Sequence, residues 1–201
     1  MKRKLGILFS ILLVVAIIIT GCDIGTVKKE EKVRDMSKVH HVKMEIEHYG
    51  TVEIELDGNE APITVDNFMK LVNEKYYDGL TFHRNMEGFM AQGGDGTLKG
   101  KPAAATIKGE FKNNGVNNTI KHTRGTISMA RVGGMNDSAS SQFFIVQQAA
   151  PHLDGDYAAF GHVTSGMEAI DNLLANTPVQ DDNGTTLPKD QPVIISIRAI
   201  D

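Results

Sequence analysis

One stretch narrows what this chain can fold into more than any other. Residues 82–95 read Phe-His-Arg-Asn-Met-Glu-Gly-Phe-Met-Ala-Gln-Gly-Gly-Asp. Phe82, Arg84 and Met86 alternate with His83 and Asn85, the period of a strand with two unlike faces. Gly88 interrupts the alternation, and Phe89-Met90-Ala91-Gln92 resumes an extended run. Gly93-Gly94 then ends it with a φ freedom that only glycine has cheaply. Two short strands around a tight bend present Arg84, Phe89, Met90 and Gln92 to a common surface: a cation, an apolar floor and an amide. Such a surface suits a group that is apolar on one side and a strong acceptor on the other, as an X-Pro peptide bond is. Read alone, the stretch also fits a buried hairpin with Arg84 on a solvated edge.

Phe82-His83-Arg84 followed by Gly88-Phe89-Met90-x-Gln92-Gly93-Gly94-Asp95 resembles the cyclophilin-type peptidyl-prolyl cis–trans isomerases. Three further segments resemble the same family in the same order. They are His122-Thr123-x-Gly125-x-Ile127-Ser128-Met129-Ala130, then Ser141-Gln142-Phe143-Phe144-Ile145, then Leu153-Asp154-Gly155-x-Tyr157-x-x-Phe160-Gly161-x-Val163. The resemblance covers roughly residues 40–201, and four ordered segments are hard to obtain by chance. It implies a mainly β fold: a closed eight-stranded antiparallel β-barrel capped by two α-helices. Composition and patterning alone give only a β-rich chain with some helix.

The start of the chain reads differently. Lys2-Arg3-Lys4 precedes an almost wholly apolar run from Leu5 to Ile19, the pattern of a secretory signal. The run is shorter than the ~20 residues a spanning helix needs. It ends in Ile19-Thr20-Gly21-Cys22, which resembles a bacterial lipobox, a signal whose cysteine is acylated, for example with palmitate, and becomes the new N-terminus. Cys22 is the only cysteine in the chain, so no disulfide can form within one molecule. Residues 1–21 are thus expected to be a lipoprotein signal peptide and 22–38 a lipidated cysteine and flexible tether. Residues 39–201 are the expected isomerase domain. The segment Asp23 to Lys38 is polar and of mixed charge, without an apolar face; a short charged helix is the other reading. As coil, it would reach about 20–25 Å. The expected location is the extracytoplasmic face of the cell membrane, held by lipid.

Formal charge is −4, from 21 basic and 25 acidic residues. Removing residues 1–21 takes away three basic residues and no acidic ones, leaving 18 against 25, or −7. Nucleic acid needs a positive surface and is excluded as a partner. Adhesion to anionic lipid is disfavoured for the same reason.

Within the domain, Val42–Glu47 and Val52–Leu56 alternate strictly around Tyr49-Gly50, the pattern of a hairpin with one buried face. Pro62 to Tyr76 is predicted as a helix. Val65, Phe68, Met69, Leu71 and Val72 form its stripe, and Thr64 or Asp66 is its capping candidate. Gly96 to Asn118 is a long loop, a kind that is often functional. Thr126–Ala130, Gln142–Val146, Phe160–Val163 and Val193–Ile200 read as strands, the last with Val193, Ile195 and Ile197 on one face. Met167–Leu174 reads as a helix with Met167, Ile170 and Leu174 inward.

Prolyl isomerisation breaks no bond. The barrier of about 18–20 kcal/mol comes from amide resonance, and the uncatalysed step takes tens of seconds or more. A catalyst must bind the twisted amide better than either planar form. Twisting localises a lone pair on the prolyl nitrogen, which a donor in a dry pocket stabilises. A thousandfold acceleration requires about 4 kcal/mol.

Arg84 is the candidate donor, because its planar fork reaches the substrate carbonyl and the nitrogen together. By resemblance, Phe89, Met90, Phe144 and Leu153 hold the proline ring, although Phe144 and Met90 also fit ordinary core. Gln92 and the backbone at Ala130 and Arg131 flank the peptide, and His83, Gln142, His152 and Tyr157 complete the substrate-binding set. Where well-known eukaryotic members have Trp, this chain has His152; where they often have His, it has Tyr157. The resemblance ties the indole to tight binding of the cyclic peptide cyclosporin, so weaker drug binding is expected, with catalysis retained. The loop Arg131–Ser138 is slightly longer than the family pattern and bears on substrate range.

No metal or other cofactor is expected. His40-His41 are adjacent and point to opposite sides of an extended chain, and His122 and His162 stand isolated among strand residues. The expected activity is isomerisation of X-Pro bonds in unfolded or Pro-containing exported polypeptides by a monomer. Two other classes compete: a non-catalytic Pro-peptide-binding chaperone or scaffold, and a small-molecule barrel of lipocalin type.

Overall fold

The structure is a computed structural model and describes residues 39–201. The expected signal peptide, Cys22 and the expected tether lie outside the described residues.

β1 (Val39–Ile46) and β2 (Gly50–Asp57) form the expected hairpin, with Val42 opposite Ile54 and Met44 opposite Val52. Their inward Val, Ile, Met and Leu side chains are buried. On the outer face a row of paired residues crosses three strands. Glu55 lies between His41 and His162, with Nε2 to carboxylate distances of 3.4 and 3.9 Å. His162 is therefore not isolated; register supplies neighbours that sequence spacing hides.

α1 (Pro62–Asn73) follows, then β3 (Phe82–Met86), β4 (Met90–Gly93), β5 (Thr126–Met129), β6 (Phe143–Val146) and β7 (Ala159–Ser165). α2 (Met167–Asn176) and β8 (Ile194–Ala199) complete the chain. All eight strands belong to one antiparallel sheet in the order β3-β4-β6-β5-β7-β2-β1-β8. Where the resemblance implied closure, the ladder is open: the sheet curls into a half-barrel with β3 and β8 at its edges. The residues leading into those edges touch at one bridge, Thr81 to Val193. There Phe82 N–H donates to the Pro192 carbonyl at 2.9 Å and Ile194 N–H to the Leu80 carbonyl at 2.8 Å.

The concave side is filled. Phe68 of α1 packs edge-on to Phe143 at 5.7 Å and against Tyr77 and Phe160 at 5.0 and 5.2 Å. A lipocalin-type barrel would hold its ligand here, so that reading fails on packing.

Three expectations need correction. α1 is not capped by Thr64 or Asp66: its N-cap is Ala61, without a side-chain hydrogen bond. Instead the buried Glu110, from the long loop, accepts from the N–H groups of Ile63 and Thr64 at 3.0 and 2.7 Å and from the Thr64 hydroxyl at 2.7 Å. A carboxylate at the positive end of a helix dipole satisfies its orphan donors from 46 residues away. The helix also stops earlier than predicted, at Asn73, and Lys75 takes a positive φ of 55°. In β8 the inward residues are Ile194 and Ile197, while Ile195 is exposed. The register against β1 shifts between Glu45 and Ile46, which leaves Ile195 as the extra residue of a bulge.

Candidate active site

β5 and β6 are buried on both faces. In β4 and β6, Ala91, Phe143 and Ile145 face the main core. Met90, Phe144 and Val146 face outward and pack with Ala150 and Leu153 in a second cluster. This second cluster is the floor of a cavity of about 400 Å³ on the convex side of the sheet. Arg84, Phe89, Met90, Gln92, Ala130, Arg131, Phe144, His152, Leu153 and Tyr157 line it. Ten of the twelve residues singled out for catalysis and substrate binding thus meet in one place.

His83 and Gln142, the other two, do not line the cavity. Gln142 stands behind Gln92, accepting from its amide at 3.0 Å while donating to Asp95 at 2.9 Å. It orients the amide that flanks the cavity. His83 is half-buried and unpaired in the ladder, because β3 does not keep a simple alternation. Its register slips between Phe82 and Arg84, and Phe82 and Asn85 are the buried pair. Burial lowers the His83 pKa, with Arg84 acting in the same direction and Asp95 opposing both.

Arg84 is held at its inner end. Its Nε donates to the Asn183 carbonyl at 2.8 Å. The outer nitrogens meet weak or long acceptors: Gln92 Oε1 at 3.4 Å, Met86 Sδ at 3.0 Å and Met90 Sδ at 3.9 Å. Thioether sulfur is a poor acceptor, so the guanidinium is fixed in direction while most of its N–H donors remain available to a ligand. Asn183 was not foreseen. It lies in the polar loop before β8, nearly a hundred residues away, and acts through its backbone, which carries no sequence signal.

The pocket wall has a buried support. His122 stacks on Phe144 with ring centroids 5.9 Å apart and 16° between planes. Its Nδ1 is 3.0 Å from Asp154 and its Nε2 is 3.0 Å from the Ser128 hydroxyl. Burial lowers the imidazole pKa, against the pull of Asp154. The neutral ring satisfies both partners, with Nδ1–H donating and Nε2 accepting. The three residues have the order of a Ser–His–Asp nucleophilic array. Ser128 is completely buried and does not line the cavity, so the array braces Phe144 instead. His122, Ser128 and Asp154 all stand in the segments quoted above. Nothing in their spacing reveals that they touch.

Sequence comparison agrees with this geometry. The family described as cyclophilin type peptidyl-prolyl cis-trans isomerase/CLD matches residues 41–199. The chain belongs to this family. As a cyclophilin it is 47% identical over 130 residues to peptidyl-prolyl cis-trans isomerase B of Bacillus subtilis, covering 64% of this chain and 86% of that protein. It is 40% identical over 157 residues to a peptidyl-prolyl cis-trans isomerase of Acinetobacter baylyi, covering 74% and 80%. Longer fungal relatives are matched over only 23–24% of their length. Among solved structures, a Cryptosporidium parvum cyclophilin-type isomerase in the presence of the dipeptide Ala-Pro superposes with a TM-score of 0.69 at 31% identity, covering 80% of this chain and 99% of that one. The cyclophilin is a peptidyl-prolyl cis–trans isomerase.

Proposed function

We propose that the cyclophilin isomerises X-Pro bonds of exported polypeptides from a lipid anchor outside the cell, with Arg84 as the catalytic donor. The observation that carries the catalytic part is the half-satisfied guanidinium over an apolar floor. Arg84 is fixed through Nε by Asn183, and Phe89, Met90, Phe144 and Leu153 line the cavity beside it. A proline ring lying on these side chains puts the preceding carbonyl and the prolyl nitrogen within reach of Nη1 and Nη2. As the amide twists, the nitrogen gains a lone pair and the N–H donors meet it without reorganising. Gln92 offers a second polar contact, which Gln142 and Asp95 orient. The Ala130 N–H already donates to the Gln142 carbonyl at 2.9 Å, so Ala130 offers a peptide its carbonyl instead. The Ala-Pro dipeptide present with the Cryptosporidium relative supports an X-Pro ligand for this cavity.

Export and anchoring rest on Lys2-Arg3-Lys4, the apolar run and Ile19-Thr20-Gly21-Cys22. The clients are then unfolded or Pro-containing segments emerging from the membrane, met by a monomeric domain.

The test of the catalytic part is a protease-coupled assay on a short X-Pro peptide. Arg84→Ala should lose about 10²–10³ in kcat/KM, the usual effect of deleting a preorganised donor, with an unchanged thermal midpoint. Arg84→Lys should recover little, because a point charge cannot serve two acceptors at once. Near-wild-type turnover in folded Arg84→Ala would refute the mechanism.

A further inference from the structure

Arg131 lines the cavity, and its guanidinium is engaged by aromatic rings and a backbone carbonyl. It lies between two aromatic faces, 4.8 Å from the Tyr157 ring centroid and 5.2 Å from that of Phe111. Its Nε donates to the Asp156 carbonyl at 2.7 Å. Phe111 is buried and belongs to the long loop between β4 and β5; Tyr157 belongs to the segment before β7. Tyr157 in turn stands edge-on to Phe144 at 5.9 Å and 83°, and to His122 at 6.5 Å and 82°. One side chain therefore ties three loops together at the cavity rim. A second tie runs alongside it, from Asn113 to Gly155 and Asp156 at 2.9 and 2.8 Å, and none of these three residues lines the cavity.

We propose that Arg131 is a positioning residue for the isomerase: clamped between Phe111 and Tyr157, its side chain holds Tyr157 against Phe144 and so fixes the proline-pocket wall. The proposal rests on reading this cavity as the isomerase site. The physical argument lies in the shape of the guanidinium. Its plane offers both faces to π-systems while its edge keeps a hydrogen bond, which an ammonium or an alkyl chain cannot do. Tyr157 has edge-on contacts with Phe144 and His122 and the guanidinium over its ring. Without Arg131 the ring is free to swing toward solvent, and the wall then loses its edge-on partner. The defect is present in ground state and transition state alike, so it weakens peptide binding more than it slows turnover.

The experiment compares full-length wild type, Arg131→Met, Arg131→Lys, Tyr157→Leu and the Arg131→Met/Tyr157→Leu double variant. Each is measured for kcat/KM on an X-Pro peptide, for affinity to the same peptide by NMR titration, and for thermal midpoint. Arg131→Met, which keeps volume without charge or plane, should weaken peptide affinity about fivefold to tenfold, with a matching fall in kcat/KM. Arg131→Lys should fall between it and wild type. The double variant should be no worse than the worse single one, because both remove the same contact. Wild-type affinity in Arg131→Met, or multiplicative losses in the double variant, overturns the proposal; so does a lowered midpoint with unchanged affinity. Should Arg131→Met fail to fold, Arg131→Lys against Tyr157→Leu carries the same comparison. The Arg84→Ala result separates failure of the site reading from failure of this one, since the affinity measurement does not require turnover.

Discussion

His122 sets the pH behaviour of the pocket wall. Burial lowers its pKa and that of His83 from the ordinary value near 6.5. The unfolded chain takes up protons on these rings near pH 6.5, while the folded chain resists until lower pH. Stability is therefore complete above pH 6.5 and is lost as pH falls below it toward the lowered folded values. Asp154 behaves in the same sense further down. Burial works to raise its pKa, but the backbone and ring donors of His122, with Lys121, outweigh that and lower it. Its contribution is lost below about pH 4. Thermal midpoints measured between pH 8 and pH 5 should be level at first and then fall. In His122→Gln, which keeps a donor and an acceptor without titrating, the fall should shrink to the part due to His83. A wild-type midpoint level down to pH 5 would show that neither ring is buried in the neutral form.

The loop element before β8 decides how well Arg84 is aimed. Gly184 has φ of 78°, and its carbonyl accepts from Asn85 N–H at 2.8 Å, so the loop is clamped to β3 beside Asn183. A Cβ on Gly184 would lie 2.4 Å from the Asn85 carbonyl oxygen and 2.6 Å from the Met86 Cγ. Gly184→Ala therefore pays a left-handed backbone cost of about 1–2 kcal/mol and must also push the loop off β3. Gly100, with φ of 71° and nothing within 4 Å of an added Cβ, isolates the backbone cost alone. Gly184→Ala should lower the thermal midpoint more than Gly100→Ala and should also lower kcat/KM, because Asn183 retreats from Arg84 Nε; equal behaviour of the two would show that the clamp is slack. This element was not legible beforehand, and the reason is physical. Hydrophobic period reveals α1, α2 and the β1–β2 hairpin, where one face is buried and the other wet. It misleads where a bulge shifts register, as at Ile195; β5 and β6, buried on both faces, still read as strands to within a residue of their ends. It says nothing of polar loops that act through backbone carbonyls. Of the cavity residues, Arg84, Phe89, Met90 and Gln92 were legible from strand alternation and the others from the family resemblance, whereas their supports at Asn183, Glu110 and His122 depend on long-range contacts.

At the scale of the whole molecule, the isomerase fold and the proposed anchor are separable problems. The described fold begins with Val39 in β1, and the sequence that would direct export ends at Cys22. After residue 21 the chain carries −7, so its polar surface offers anionic lipid no attraction. On the proposed reading, membrane attachment depends on acyl chains at the single thiol, and two chains hold stably where one gives only marginal binding. Cys22→Ser should move the protein to the soluble fraction or leave it as an unprocessed precursor. Its kcat/KM on an X-Pro peptide should match that of wild type. Labelled fatty acid should enter wild type and not the variant. A chain starting at Met36 should keep full activity, because no residue of the cavity precedes Arg84 and the first strand is intact. Wild type that takes up no label would remove the lipid from the proposal while leaving the isomerase standing. An inactive Met36 chain would show instead that residues before it help to hold β1 in the sheet.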